Sequence, residues 1–168
     1  AQLWTEEIRR RLPGLPVIHN FLSNYQVHDW KIILRHGDVG GFDVYPDREF
    51  RNRFDESAAA KVFASGRGGH GYLLNAARAQ YELPCLPFIA ELQSGVVSGT
   101  DKGELPPNHY RLLHASMLGC GVRGWNWFML VNRDNWYKAP INERGVVDQD
   151  VFREFRATVR VARETNLL

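Results

Sequence analysis

Four short apolar segments, each running into a polar or turn-forming stretch and each separated from the next by room for a helix, constrain this fold most. They are Pro16 to Asn20, Val39 to Tyr45, Leu86 to Glu91 and Val122 to Leu130. The stretches Val27 to His36, Gly71 to Leu83 and Asn108 to Leu118 read as helices, and a leading helix is expected over Leu3 to Leu12. A closing helix follows Asp148, a good N-cap. Asp150 suits its first turn, and Val151, Phe155, Val159 and Ala162 mark one apolar face. Strands alternating with helices predict an α/β fold built from parallel βα units. Right-handed crossovers then bring every strand's carboxyl end to one side, where α/β proteins gather their sites. That side would collect Asn20, Tyr45, Glu91 and the residues after Phe128.

The chain's 168 residues suit one domain, residues 1–168, with a proper core. A composition 44% hydrophobic and 24% charged is that of a globular protein. The net charge of +2 gives no electrostatic case for nucleic acid, and the Arg9-Arg10-Arg11 run reads as a solvated helix end. No apolar stretch approaches the roughly 20 residues of a membrane helix. The opening Trp4-Thr5-Glu6-Glu7, followed by arginines, is not the pattern of a signal peptide. Cys85 and Cys120 precede two of the strands and read as small buried hydrophobes, which fits a reducing, cytoplasmic compartment. The histidines show no metal-binding spacing, so neither a metal nor a cofactor is expected. Gly66-Arg67-Gly68-Gly69-His70-Gly71 lacks the preceding strand that a dinucleotide loop needs and reads as a connector. No Gly-x-Ser-x-Gly elbow is present.

Glu91 stands out chemically. A carboxylate at the end of a buried strand is poorly placed for stability and well placed for reaction, and the loop Gln93-Ser94-Gly95 follows it. The strand Gly124 to Leu130 also enters a polar aromatic loop, Asn132-Arg133-Asp134-Asn135-Trp136-Tyr137. A carboxylate facing aromatic rings suits a carbohydrate, whose C–H groups stack on π-faces. Tyr45 could hydrogen-bond Glu91 or simply pack at the rim. Asp43 could orient Asn20 and line a subsite, or be satisfied by backbone N–H groups. Trp125 and Trp127 share one face of their strand, Asn126 and Phe128 the other, and only one pair can face the strand-end site. Trp136 is a candidate cap over the site. Arg133 could bind hydroxyls or pair with Asp134 or Glu143.

Three segments carry a resemblance: Pro16-Val17-Ile18-His19-Asn20-Phe21, Asp38 through Pro46, and Phe88-Ile89-Ala90-Glu91-Leu92-Gln93-Ser94-Gly95. Together they resemble the second half of the catalytic barrel of glycoside hydrolase family 42 β-galactosidases. Trp125 through Met129 and Ala139 through Gly145 look more like family 35, although that family tends to carry a tyrosine where Phe128 stands. Both belong to clan A, retaining glycosidases on (β/α)₈ barrels. The resemblance equates the chain with strands five to eight of a TIM barrel, a half-barrel, since a whole one takes about 250 residues.

The resemblance implies that Glu91 is the nucleophile of a retaining β-galactosidase. A second carboxyl about 5–5.5 Å away must then protonate the leaving group. In the clan that residue is a glutamate ending strand four, usually after an asparagine. The only Asn-Glu pair here, Asn142-Glu143, lies beyond strand eight. The expected acid/base is therefore absent and the isolated chain is expected to be incompetent. Its partners would be a β-galactoside and either the missing N-terminal half-barrel or a second copy. The alternatives are a non-catalytic carbohydrate-binding or structural barrel remnant, or a clan A glycosidase acting on other sugars.

Overall fold

The computed structural model describes residues 2–22, 35–45, 86–97 and 105–166. Helix α1 (Gln2–Arg11) leads into strands β1 (Ile18–Leu22), β2 (Val39–Val44), β3 (Leu86–Gln93) and β4 (Val96–Val97). Helix α2 (Pro107–Gly119), β5 (Gly124–Phe128), β6 (Trp136–Tyr137) and helix α3 (Gln149–Glu164) complete the described elements. The main sheet has the order β1-β2-β3-β5, and every neighbouring pair is parallel. This is a mixed α/β fold with a parallel sheet, consistent with part of an α/β barrel. The expected strands are all present with shifted ends, and β3 runs past Glu91 to Gln93. The helices expected over 27–36 and 71–83 lie outside the described residues, apart from a turn at 35 and 36, as do Cys85 and the 66–71 loop. A small antiparallel ribbon, β4 with β6, was not anticipated. It pairs Val96 with Tyr137 and Val97 with Trp136.

Local chemistry explains the helix ends. Pro106 and Pro107 open α2, where a missing N–H costs nothing. At its other end the N–H groups of Gly121 and Val122 close back on the carbonyls of Leu118 and Met117. The Asp148 carboxylate caps α3 by accepting the N–H groups of Asp150 and Val151. Helix α1 is tied to the sheet through Thr5, which contacts His19 Nε2 at 3.1 Å, and through Arg9, which pairs with Asp38 at 2.8 Å. Its arginine run is solvated as expected, with Arg10 and Arg11 paired to Glu7 one turn away.

Two buried clusters hold the helices to the sheet. Val44, Ile89 and Leu92 meet Leu113, Met117, Cys120 and Val122, and Trp125 and Trp127 pack against them. Val96, Leu105 and Tyr110 meet Val151 and Phe155. Each large side chain so buried contributes about 1.5–3 kcal/mol. Cys120 is a buried free thiol whose pKa burial pushes up, as suits an inert packing residue.

A polar relay runs through this apolar layer. The Trp127 indole N–H, which can only donate, reaches His114 Nε2 at 3.0 Å. Nε2 therefore accepts and the ring proton sits on Nδ1, donated at 2.8 Å to Thr158 Oγ1. The Thr158 hydroxyl passes its own proton to the Glu154 carbonyl at 2.9 Å. The Glu154 carboxylate in turn receives both Arg111 hydrogen bonds, at 2.6 and 3.0 Å, clamping α2 to α3. Burial, then the neighbouring His109, pushes the His114 pKa down to about 3, with Glu154 opposing.

The folded pKa of His114 lies below its ordinary 6.5, so the unfolded chain binds this proton more readily. Stability from this group is complete above pH 6.5 and drains as pH falls towards 3, by up to about 1.4 kcal/mol per pH unit. Urea titrations of wild type and His114→Gln should differ by that slope between pH 6 and 5, where Glu154, held below the ordinary carboxylate range by Arg111, remains ionised and every other titration cancels in the difference. Parallel profiles for the two proteins would place the proton uptake elsewhere.

Candidate functional site

One extra residue in β3 shapes the strand-end site. On the β2 side the register passes from Phe42–Ile89 to Asp43–Glu91. On the β5 side it passes from Ile89–Trp125 to Leu92–Trp127. Against both neighbours β3 has one residue too many, a β-bulge at Ala90–Glu91. Ile89 and Leu92, three apart, consequently both lie in the helix-side core, at 2% and 0% exposure. The residues between them are left on the opposite side of the sheet.

Contacts on that opposite side are tight. A Cβ placed on Gly41 would come within 2.7 Å of the Ala90 Cβ and 3.6 Å of Asn20 Oδ1, so glycine is the residue that fits beneath the bulge. The exposed Asn126 sends its amide N–H to the Ala90 carbonyl at 3.2 Å. Tyr45, one residue past β2, donates its hydroxyl proton to Glu91 Oε2 at 2.5 Å. Asp43 lies opposite Glu91 in the register, and its strand neighbour Val44 belongs to the helix-side core. Asn20 hydrogen-bonds the Asp43 side chain. Asn20, Asp43, Tyr45 and Glu91 are thus brought together, with Glu91 and Tyr45 half-buried and Asp43 buried.

The tryptophans divide. Trp127 does not face this assembly: its indole is committed to His114, and its ring lies 5.0 Å from that of Phe155 in the helix layer. Trp125 shares that side, edge-on to Trp127 at 5.7 Å and packed on the core. The expectation that one of these two forms a sugar platform beside Glu91 is corrected: the Trp127 indole N–H is satisfied on α2, and both rings pack against the helix-side core. Trp136 does reach the site. It is buried, its N–H donates to the Ser94 carbonyl at 2.7 Å, and its ring stands edge-on to Tyr45 at 6.0 Å and to Phe128 at 5.3 Å. It forms a wall behind Tyr45, where a cap had been expected.

Gly95 makes that wall possible. Its φ of +89° and the 2.7 Å approach of Trp136 Nε1 to any added Cβ both demand glycine. Arg133 is exposed at the 133–136 turn, and among the described residues no ion pair joins it to Asp134 or Glu143. Gln93, Ser94, Asn126 and Phe128 border the site and were not singled out as functional. For Asn126 and Phe128 the alternation with two tryptophans was the available signal. Among the described residues, no group of three or more His, Cys, Asp or Glu side chains could hold a metal ion. A cleft of about 580 Å³ lined by Trp127, Leu130, Phe152, Phe155 and Val159 lies on the helix side of β5, away from Glu91.

No sequence-family model and no curated protein matches the chain. A solved structure does: the β-galactosidase from the psychrophilic Marinomonas ef1, with a TM-score of 0.73 at 14% identity. The likeness is one of fold. It covers 99% of this chain and 27% of that one, so this chain spans about a quarter of its neighbour's length. The chain accordingly shares the fold of that part of its neighbour.

Electrostatically the site sets the buried Asp43 carboxyl near the Glu91 charge. Burial, then the nearby Glu91 charge, raises the Asp43 pKa to about 6, and the Asn20 hydrogen bond only partly offsets this. A carboxyl with a raised folded pKa contributes stability that is complete below its unfolded value of 3.8 and lost as pH rises through about 6. Asp43→Asn keeps an acceptor for Asn20 and removes the charge. It should therefore stabilise the protein at pH 7 by on the order of 1–2 kcal/mol, with the gain vanishing near pH 4. Denaturant melts at the two pH values check this, and an equal effect at both would exclude an electrostatic origin.

Proposed function

We propose that this chain is the nucleophile-bearing portion of a retaining glycoside hydrolase acting on β-galactosides. The observation that carries the reading is the Tyr45–Glu91 hydrogen bond at the carboxyl end of a parallel sheet whose fold is shared with a β-galactosidase. A carboxylate held by a phenol is fixed in its aim, which is what attack on an anomeric carbon requires. Glu91 attacks, its oxygen bonds to the anomeric carbon, and the glycosidic bond breaks with its electrons leaving on the aglycone oxygen. Asn20 and Asp43 sit where they could meet sugar hydroxyls, with Trp136 and Phe128 as the aromatic wall. Arg133 stands at the exposed rim. No proton donor for the aglycone is assigned to this chain, and general acid catalysis of that kind is worth roughly 10²–10⁴-fold.

A 2,4-dinitrophenyl 2-deoxy-2-fluoro-β-galactoside tests the reading, because dinitrophenolate departs without protonation. Slow stoichiometric labelling of Glu91 is expected by peptide mass spectrometry, with none in Glu91→Gln. Tyr45→Phe should slow it by roughly ten- to a hundredfold, the worth of a hydrogen bond to a charged group. Labelling at another residue, or enzyme-like turnover of an aryl galactoside by the chain alone, would contradict the proposal.

The same reading supplies a partner, the other half of a barrel or a second copy of this chain. It is supported by β1 and β5 standing at the two edges of the main sheet. Exposed Leu3, Trp4 and Ile18 flank one edge, and the apolar cleft beside Trp127 and Phe155 flanks the other. Light scattering in dilute solution should find the isolated chain associated, and a well-behaved monomer would count against the half-barrel.

A further inference from the structure

The bulge in β3 takes the backbone beside Glu91 out of the regular ladder. On the β5 side Trp125 pairs with Ile89 and Trp127 with Leu92, so a single residue, Asn126, stands across from both Ala90 and Glu91. Its side chain supplies a donor in place of the ladder, with Nδ2 donating to the Ala90 carbonyl at 3.2 Å. Asparagine is a poor strand former and this one is exposed, so neither propensity nor burial accounts for it between two tryptophans. The atom it holds does. The Ala90 carbonyl and the Glu91 N–H and Cα belong to one planar peptide unit, so a grip on that oxygen fixes the plane from which the Glu91 side chain departs. At the far end of the same side chain the Tyr45 hydroxyl holds Oε2. From the β2 side, Gly41 leaves room for the Ala90 Cβ, which any added side chain would strike.

We propose that Asn126 is a positioning residue for Glu91, pinning the Ala90–Glu91 peptide so that the carboxylate meets Tyr45 and points into the strand-end site. Several rotatable bonds separate the Glu91 Cα from its carboxylate. Anchoring the peptide plane at one end and Oε2 at the other leaves those bonds few joint solutions. Without Asn126 the peptide can rock, because the irregular stretch of β3 has lost the ladder contacts that restrain a regular strand. Attack on a carbon requires an approach to about 3–3.5 Å along the right line, so a small loss of aim is felt in the rate. The grip acts on the attacking group and not on the sugar. Its loss should therefore slow bond formation and leave affinity for the glycone where it was.

The consequence for reaction rests on Glu91 being the nucleophile, and two measurements keep the claims apart. In the full 168-residue chain carrying ¹³C at the tyrosine Cζ carbons, Tyr45→Phe identifies the Tyr45 signal and Glu91→Ala marks the phenol without that carboxylate. Asn126→Ala should move the signal towards the Glu91→Ala position, and Asn126→Gln, which keeps an amide donor, should return it part of the way. With the dinitrophenyl fluorogalactoside, Asn126→Ala should slow the saturated labelling of Glu91 about five- to tenfold, the worth of one hydrogen bond, at an unchanged half-saturating concentration. Asn126→Gln should recover part of that rate. A Tyr45 signal and a labelling rate both unmoved in Asn126→Ala would overturn the proposal, even with a lowered thermal midpoint, since the residue would then serve stability alone. A raised half-saturating concentration at an unchanged rate would also overturn it and make Asn126 a contact to the sugar. A displaced Tyr45 signal in Asn126→Ala, with no labelling of the wild-type chain, upholds the grip and overturns the nucleophile assignment.

Discussion

The bulge at Ala90–Glu91 is the constraint on which the strand-end assembly depends. In a regular strand, residues 89, 91 and 93 would share one face, and with Ile89 in the core Glu91 would be driven under the helices. One extra residue lets Ile89 and Leu92 both fill the core and leaves Glu91 on the far side, within reach of the Tyr45 hydroxyl. Gly41 is the counterpart on β2. Any side chain there would strike the Ala90 Cβ, so the irregular strand and the bare position opposite it are one feature.

The other side of the sheet is organised by a different demand. A half-buried indole N–H is poorly served by solvent, and α2 provides an acceptor for Trp127 in His114. That histidine can accept at Nε2 only because Thr158 on α3 takes the proton on Nδ1. The relay thereby fixes how β5, α2 and α3 meet, and the aromatic contacts of His114 with Tyr110, Trp127 and Phe155 fill the space around it. With the tryptophans held outward, the alternate residues of β5 are left to the site side, where Asn126 grips the bulge and Phe128 meets Trp136.

What the sequence made legible follows from periodicity and punctuation. The four strands, their parallel pairing and the Asp148 cap could be read because apolar runs, spacing and a capping residue are local signals. The strand-end positions of Asn20, Tyr45 and Glu91 followed from the spacing of the strands, whereas for Asp43 the sequence left two readings open. The bulge was illegible, because a one-residue register change leaves no mark on an apolar run, although Gly40-Gly41 inside a strand hinted at a close approach. The facing of Trp125 and Trp127 was equally hidden, since alternation states that they share a side and not which side. That choice was made by a hydrogen bond to a histidine on another element. Trp136 changed from cap to wall because its N–H meets a carbonyl, Ser94, supplied by the turn after Glu91.

These two halves of the sheet spend stability in opposite ways. On the helix side a buried histidine stays neutral and every polar atom of the relay from Trp127 to Glu154 has a partner, so burial there is net gain above pH 6.5. On the strand-end side two carboxyls are placed opposite each other, one of them buried, and the amide beside them only partly compensates. Such a cost is easily removed by a single Asp to Asn change, so a fold selected for stability alone has no use for it. The Tyr45 hydroxyl donates to the Glu91 carboxylate, and burial, then that same charge, raises the pKa of Asp43 opposite it, so the cost of the arrangement falls on the buried aspartate.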